Sequence, residues 1–108
     1  MEKKLKEVKI TKELYEDIEV FLEKMKMKKT GMIELAVERL LRQDSIELPH
    51  DFLIKKKQQG YIVRNVRFRY YIDEELDEMI ERVAKNIAVT PSVLYWYALD
   101  SYIRYLKS

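Results

Sequence analysis

The sequence contains no cysteine, which excludes disulfides, thiolate metal sites and cysteine nucleophiles. Only 2 glycines and 2 prolines occur among 108 residues, so tight turns are few and long regular elements are expected. No apolar run approaches the roughly 18 residues of a membrane span, and no signal-peptide pattern precedes the first charged stretch. An intracellular, cytoplasmic protein is therefore expected. His50 is the single histidine and sits in a turn-like Pro49-His50-Asp51 segment, with no second histidine to help it hold a metal. No glycine-rich phosphate loop and no nucleophile–base set is present. The carboxylates recur at helical spacing and read as helix-surface groups. Neither an enzyme nor a cofactor is expected.

A hydrophobic content of 47% and a charged content of 37% fit a folded, strongly charged globule rather than a disordered tail. The length suits one compact domain. Abundant Lys and Glu together with absent Cys are mildly thermophile-like. The net charge of +2 conceals an uneven distribution. Between Phe52 and Ile72 stand Lys55, Lys56, Lys57, Arg64, Arg67 and Arg69, with no carboxylate among them. Directly afterwards come Asp73, Glu74, Glu75, Asp77, Glu78 and Glu81, with no cation. A near-zero sum can thus hide a cationic face, and it is the face that a polyanion meets.

Sliding the sequence by 62 positions (72 minus 10) places Ile10 on Ile72 and aligns the two halves without a gap. The same offset superposes Glu13 on Glu75, Leu14 on Leu76, Ile18 on Ile80, Ala36 on Ala98 and Arg42 on Arg104. Thr11 falls on Asp73 and Thr30 on Ser92, exchanges between good helix N-caps. Each half reads as strand, helix, short turn, helix. In the first, Val8 and Ile10 close a strand over Lys6 to Ile10. Leu14, Ile18, Phe21, Leu22 and Met25 then line one helical face, and Thr30 opens a second helix. In the second, Val66, Phe68, Tyr70 and Ile72 alternate with Arg67, Arg69 and Tyr71, the period of a half-buried strand. Asp73 caps the next helix, whose acidic first turn suits the helix dipole. Pro91 stops that helix and Ser92 is the expected cap of the last one. Residues 1–43 and 64–108 are the two copies. Residues 44–63 form a connector, in which an additional strand flanking the ribbon is one reading.

These strand–helix–turn–helix units, with caps at Thr11 and Thr30 and at Asp73 and Ser92, resemble the ribbon–helix–helix family of transcription regulators. Members of that family pair as homodimers whose two strands make an antiparallel ribbon. Two copies in one chain resemble a covalently fused dimer, as among regulators encoded by viruses of thermophilic archaea. The resemblance implies a mainly α fold with a small β-ribbon (α+β): a tandem, single-chain pseudo-dimer with four helices. Elementary physics agrees, because one copy of about 45 residues buries little core and leaves its strand unpaired. A connector of about 20 residues, at up to about 3.3 Å each, easily spans the distance.

The resemblance implies sequence-specific binding of double-stranded DNA, most simply by a repressor, with the ribbon laid in the major groove. If Val66, Phe68, Tyr70 and Ile72 pack inward, Arg67, Arg69 and Tyr71 face the bases, and by the same parity so do Leu5, Glu7 and Lys9. Arginine gripping guanine O6 and N7 is worth about 1–3 kcal/mol of discrimination. Glu7 opposes phosphates unless it accepts from a cytosine amino group, and Leu5 meets a thymine methyl or lies outside the groove. The family also clamps phosphates at the start of each second helix. Here that places Thr30, Gly31, Ser92 and Val93, with Lys28 and Lys29 adjacent, against the DNA backbone.

Plainer readings stand beside these. Lys55-Lys56-Lys57 reads first as a solvated loop. Tyr95, Trp96 and Tyr105 make the last helix aromatic on several sides, which suits either a local core under the connector or self-association along DNA. A protein-interaction module on the same scaffold, antitoxin-like or structural, is the competing function. No small-molecule substrate and no membrane partner is expected.

Overall fold

Alternation of apolar and charged side chains decides the ribbon. In the computed structural model, which describes residues 2–108, β1 (Lys3–Ile10) pairs antiparallel with β2 (Val66–Asp73) in a two-stranded sheet. Val8 and Ile10 from β1, with Phe68, Tyr70 and Ile72 from β2, are buried on one face. β1 starts three residues earlier than the alternation of Val8 and Ile10 indicates, because its first residues still find partners on β2 up to Lys3–Asp73. The connector adds no strand among the described residues, contrary to one expectation above. Its only regular piece is a 3-10 turn over His50–Leu53. β2 begins at Val66.

Four α-helices cover the buried face. α1 (Lys12–Met25) starts at Thr11, whose Oγ1 accepts from the Leu14 N–H at 3.1 Å. Its end wraps through Lys26, left-handed at φ 51°, so that the Lys26 and Met27 N–H groups reach Glu23 and Leu22 carbonyls. α3 (Glu74–Asn86) is capped by Asp73, which accepts from the Glu75 N–H at 2.9 Å. It ends in the same way at Ala88, φ 59°, with Ala88 and Val89 N–H groups bonded to Lys85 and Ala84. Lys26 and Ala88 stand 62 residues apart, and both helices end in the same left-handed turn. Met25 is an exception in the expected core, at 38% exposure. It is the last residue of α1, just before the left-handed Lys26.

The second helices, α2 (Lys29–Leu41) and α4 (Pro91–Lys107), pack on each other and on the sheet. Their expected caps shift by two residues. Thr30 lies inside α2, whose N-cap position is Lys28 with no side-chain hydrogen bond. Ser92 lies inside α4, which is capped by Thr90 Oγ1 accepting from the Val93 N–H at 3.2 Å. Pro91 opens α4 rather than closing α3, since proline's fixed φ suits a first helical turn that needs no N–H there. Lys28 and Thr90 remain equivalent under the offset, so the repeat survives the correction.

Two side-chain contacts join residues that the repeat equates. Arg69 meets Glu7 at the centre of the strand register, and Arg39 Nη1 donates to Ser101 Oγ at 3.0 Å between α2 and α4; both pairs are 62 residues apart.

The halves differ where the connector lies. Phe52 is buried against Trp96 (ring centroids 4.3 Å) and Tyr97 (5.1 Å). The Arg64 guanidinium stacks over the Trp96 ring at 4.4 Å. Trp96 and Tyr95 are 4% and 1% exposed, so neither offers a surface for self-association. Of the aromatic residues expected there, Tyr105 alone is open, at 56%.

Candidate nucleic-acid interface

The face of the sheet turned away from the helices carries four cross-strand pairs: Lys9 opposite Arg67, Glu7 opposite Arg69, Leu5 opposite Tyr71, and Lys3 opposite Asp73. Arg67, Arg69, Tyr71, Lys9, Glu7 and Leu5, dispersed over both halves of the sequence, are thereby gathered on one surface. Arg67 and Arg69 side chains are 65% and 69% exposed. Leu5 and Tyr71 are 57% and 53% exposed, an open apolar pair that a protein interior does not explain.

Charge changes along this face. One end is basic, through Lys9 and Arg67. At the centre, Glu7 Oε1 accepts from Arg69 Nε at 3.0 Å, while its other oxygen lies 3.9 Å from Arg67 Nε. Glu7 therefore stands between both arginines. These groups are well solvated, so the pairs add below about 1 kcal/mol to stability, and their main effect is to orient the guanidinium groups. Next comes the apolar Leu5–Tyr71 step. Beyond it Lys3 pairs with Glu34, which also accepts from the Asp73 N–H at 3.3 Å.

The candidate phosphate clamps are unequal. At the start of α2 the Lys29, Thr30 and Gly31 N–H groups have no acceptor among the described residues, and the first internal bond runs from Met32 N–H to the Lys28 carbonyl. Three donors and the positive end of the dipole are therefore available, with Lys28 exposed beside them. Lys29 leans inward over the Phe68 ring at 5.4 Å. At α4, Pro91 has no N–H and that of Val93 is taken by Thr90 Oγ1, so Ser92 alone keeps a free donor. Val93 as a backbone donor to phosphate is corrected on this ground.

The sequence reading missed two residues. Asp77, placed above among surface carboxylates, is 0% exposed. Its Oδ1 accepts from the Tyr95 hydroxyl at 2.5 Å, and Lys6 and Lys4 ammonium groups lie at 3.5 and 3.6 Å. Burial, then the Asp77 carboxylate, pushes the Tyr70 hydroxyl far above its usual range. Burial and the hydrogen bond to Asp77 do the same to Tyr95. A signal for Asp77 existed: the parity that buries Val8 and Ile10 also turns Lys4 and Lys6 inward, where ammonium groups need a counter-charge. The second missed residue is Arg64, read as part of a cationic run but held half-buried against Trp96.

Among the described residues no cluster of metal-ligating side chains occurs, and no helix is long and apolar enough to cross a membrane. Comparison of the chain with protein-family models, with curated proteins and with solved structures finds no match.

Proposed function

We propose that this protein binds double-stranded DNA sequence-specifically as a transcription regulator, most simply a repressor, by laying its β-ribbon in the major groove. The observation that carries the reading is the ribbon's outer face, where Arg67 and Arg69 are exposed side by side on a two-stranded antiparallel sheet. A two-stranded ribbon has the width of the groove, and arginine is the best side chain for guanine. Three uncommitted N–H groups at the start of α2 support a backbone contact that would fix the ribbon's register.

The finer fold belongs to the same proposal. The 62-residue offset, the matching helix ends and the contacts between equivalent residues support a tandem ribbon–helix–helix pseudo-dimer. Its copies are residues 1–43 and 64–108, joined by the connector 44–63, as in the compact regulators of archaeal viruses that the sequence resembles. Its two strands are unlike. The basic end suits guanine, the Glu7 centre suits a cytosine amino group, and Leu5 with Tyr71 suits thymine methyls. The site read is therefore asymmetric.

Selection from random duplex DNA tests this directly and should enrich one non-palindromic motif. Replacing Arg67 and Arg69 together with Ala should abolish the shift of that motif in a mobility assay while circular dichroism stays unchanged. Unaltered affinity would sink the assignment. A second reading, a protein-interaction module, draws on the exposed Tyr105 and on Glu7 blunting the arginines. It is favoured if selection yields no motif at moderate salt and a protein co-purifies instead.

A further inference from the structure

The connector builds a cationic hollow at one end of the ribbon. This hollow, of about 270 Å³, is lined by Lys9, Lys56, Tyr61, Val63, Arg64 and Asn65. Three cations and two neutral hydrogen-bonding side chains converge there, and no carboxylate lines it. Lys9 is also the outward partner of Arg67 in the strand register, so the hollow opens beside the basic end of the reading face.

Arg64 supplies the stronger observation. Its Nε and Nη1 atoms are buried and have no hydrogen-bond partner among the described residues. A guanidinium carries five N–H donors, and leaving them unused away from water costs free energy unless an anion or ordered water takes them up. The stack on Trp96 holds the group's plane in place but satisfies no N–H. Elsewhere on the ribbon the arginines have Glu7; at Arg64 the counter-charge is missing from the protein itself.

We infer that Lys9, Lys56 and Arg64 form a phosphate-binding pocket, which takes a backbone phosphate of the bound duplex just beyond the basic end of the ribbon. This rests on the DNA-binding reading for its ligand, though not for its chemistry. A phosphate supplies the counter-charge that the Arg64 guanidinium lacks, two ammonium groups add charge, and Tyr61 and Asn65 can donate to its oxygens. The single connector lies at this end of the ribbon, so the protein grips this flank of its site through a contact that the repeat does not duplicate.

The single tryptophan makes the test direct, because Trp96 lies under Arg64. Emission of Trp96 is followed while the full-length protein is titrated with the selected duplex, a scrambled duplex, or pyrophosphate at fixed ionic strength. The variants are Lys56→Gln and Arg64→Gln. Lys56 is exposed, so Lys56→Gln keeps its fold even if Arg64→Gln does not. One lost phosphate contact should weaken both duplexes alike, by about fivefold near physiological salt, and should flatten the log–log salt slope by about 0.9. Tight duplex binding with neither change in Lys56→Gln, and no response of Trp96, overturns the pocket while leaving DNA binding intact. A Trp96 response to pyrophosphate that Lys56→Gln abolishes, without binding of any duplex, upholds the phosphate pocket and overturns the DNA reading. No response of Trp96 to any of the three ligands, together with no mobility shift of either duplex, overturns both.

Discussion

Glu7 is the residue whose removal is most informative, because it is the one carboxylate among the outward side chains at the ribbon's centre. In Glu7→Gln the side chain keeps its size and loses its charge. The Glu7–Arg69 pair is solvated at both ends, 34% and 69% exposed, so its loss should change stability by less than about 1 kcal/mol. On the proposed DNA-binding reading, the effect on binding is larger. Glu7 currently offsets about one of the cations that Arg67 and Arg69 present, and its neutralisation adds one effective phosphate contact. The salt slope on random duplex should steepen by about 0.9, which is about fivefold tighter binding near 0.15 M salt, or about 1 kcal/mol. Discrimination at the central base pair should fall by about 1–3 kcal/mol, since the acceptor for a cytosine amino group is gone. Fluorescence anisotropy with selected and scrambled duplexes, across roughly 0.1 to 0.4 M KCl, reads both quantities. Unchanged or weaker binding to the scrambled duplex would refute the idea that Glu7 restrains this face.

Asp77→Ala should cost about 2–4 kcal/mol and lower the melting temperature by roughly 10–20 °C, because it strands the buried Tyr95 hydroxyl beside two ammonium groups. Thermal melts of Asp77→Ala, Tyr95→Phe and the double variant should be clearly non-additive, and additive effects would contradict the coupling. Alkaline stability should follow from Tyr70 and Tyr95, whose hydroxyls burial holds protonated well above the usual range. The folded state retains their protons while the unfolded chain loses them above about pH 10, so this contribution is intact below pH 10 and declines beyond it, by about 1.4 kcal/mol per pH unit per tyrosine. Denaturant melts between pH 9 and 11 should show that decline, and Tyr70→Phe should flatten it; an equal slope in the variant would exclude the residue. Lys26→Gly and Ala88→Gly should each stabilise by about 0.5–1 kcal/mol in denaturant unfolding, as both replace a side chain strained at positive φ.

The ribbon was readable because period-two alternation in β2 left no freedom: a slip of one residue would have buried Arg67 and Arg69 and exposed Phe68. The repeat was readable for a related reason, since caps and core positions recur together at one offset. Other features depended on contacts that no local pattern carries. Both the Thr30 and Ser92 sites satisfy the rules for a cap, but so does Thr90, and Pro91 immediately behind it decides in Thr90's favour. In the connector, the short apolar run Phe52-Leu53-Ile54 suits a strand or a helix equally. Phe52 and Leu53 close a 3-10 turn, with Ile54 extended after it, because Phe52 finds Trp96 and Tyr97 on α4. Asp77 sits in a strongly acidic helix start where neighbouring carboxylates do face solvent. Only its three-dimensional relation to Lys4, Lys6 and Tyr95 distinguishes it.

Both strands of the sheet belong to one polypeptide, on either side of the connector. A two-stranded face assembled from two separate chains falls apart on dilution, whereas this one forms within a single molecule at any concentration. Its melting temperature should not depend on how much protein is present. If the chain regulates transcription as proposed, occupancy of its site rises with the first power of protein concentration rather than the square, and a cell holding only a few copies keeps a promoter covered.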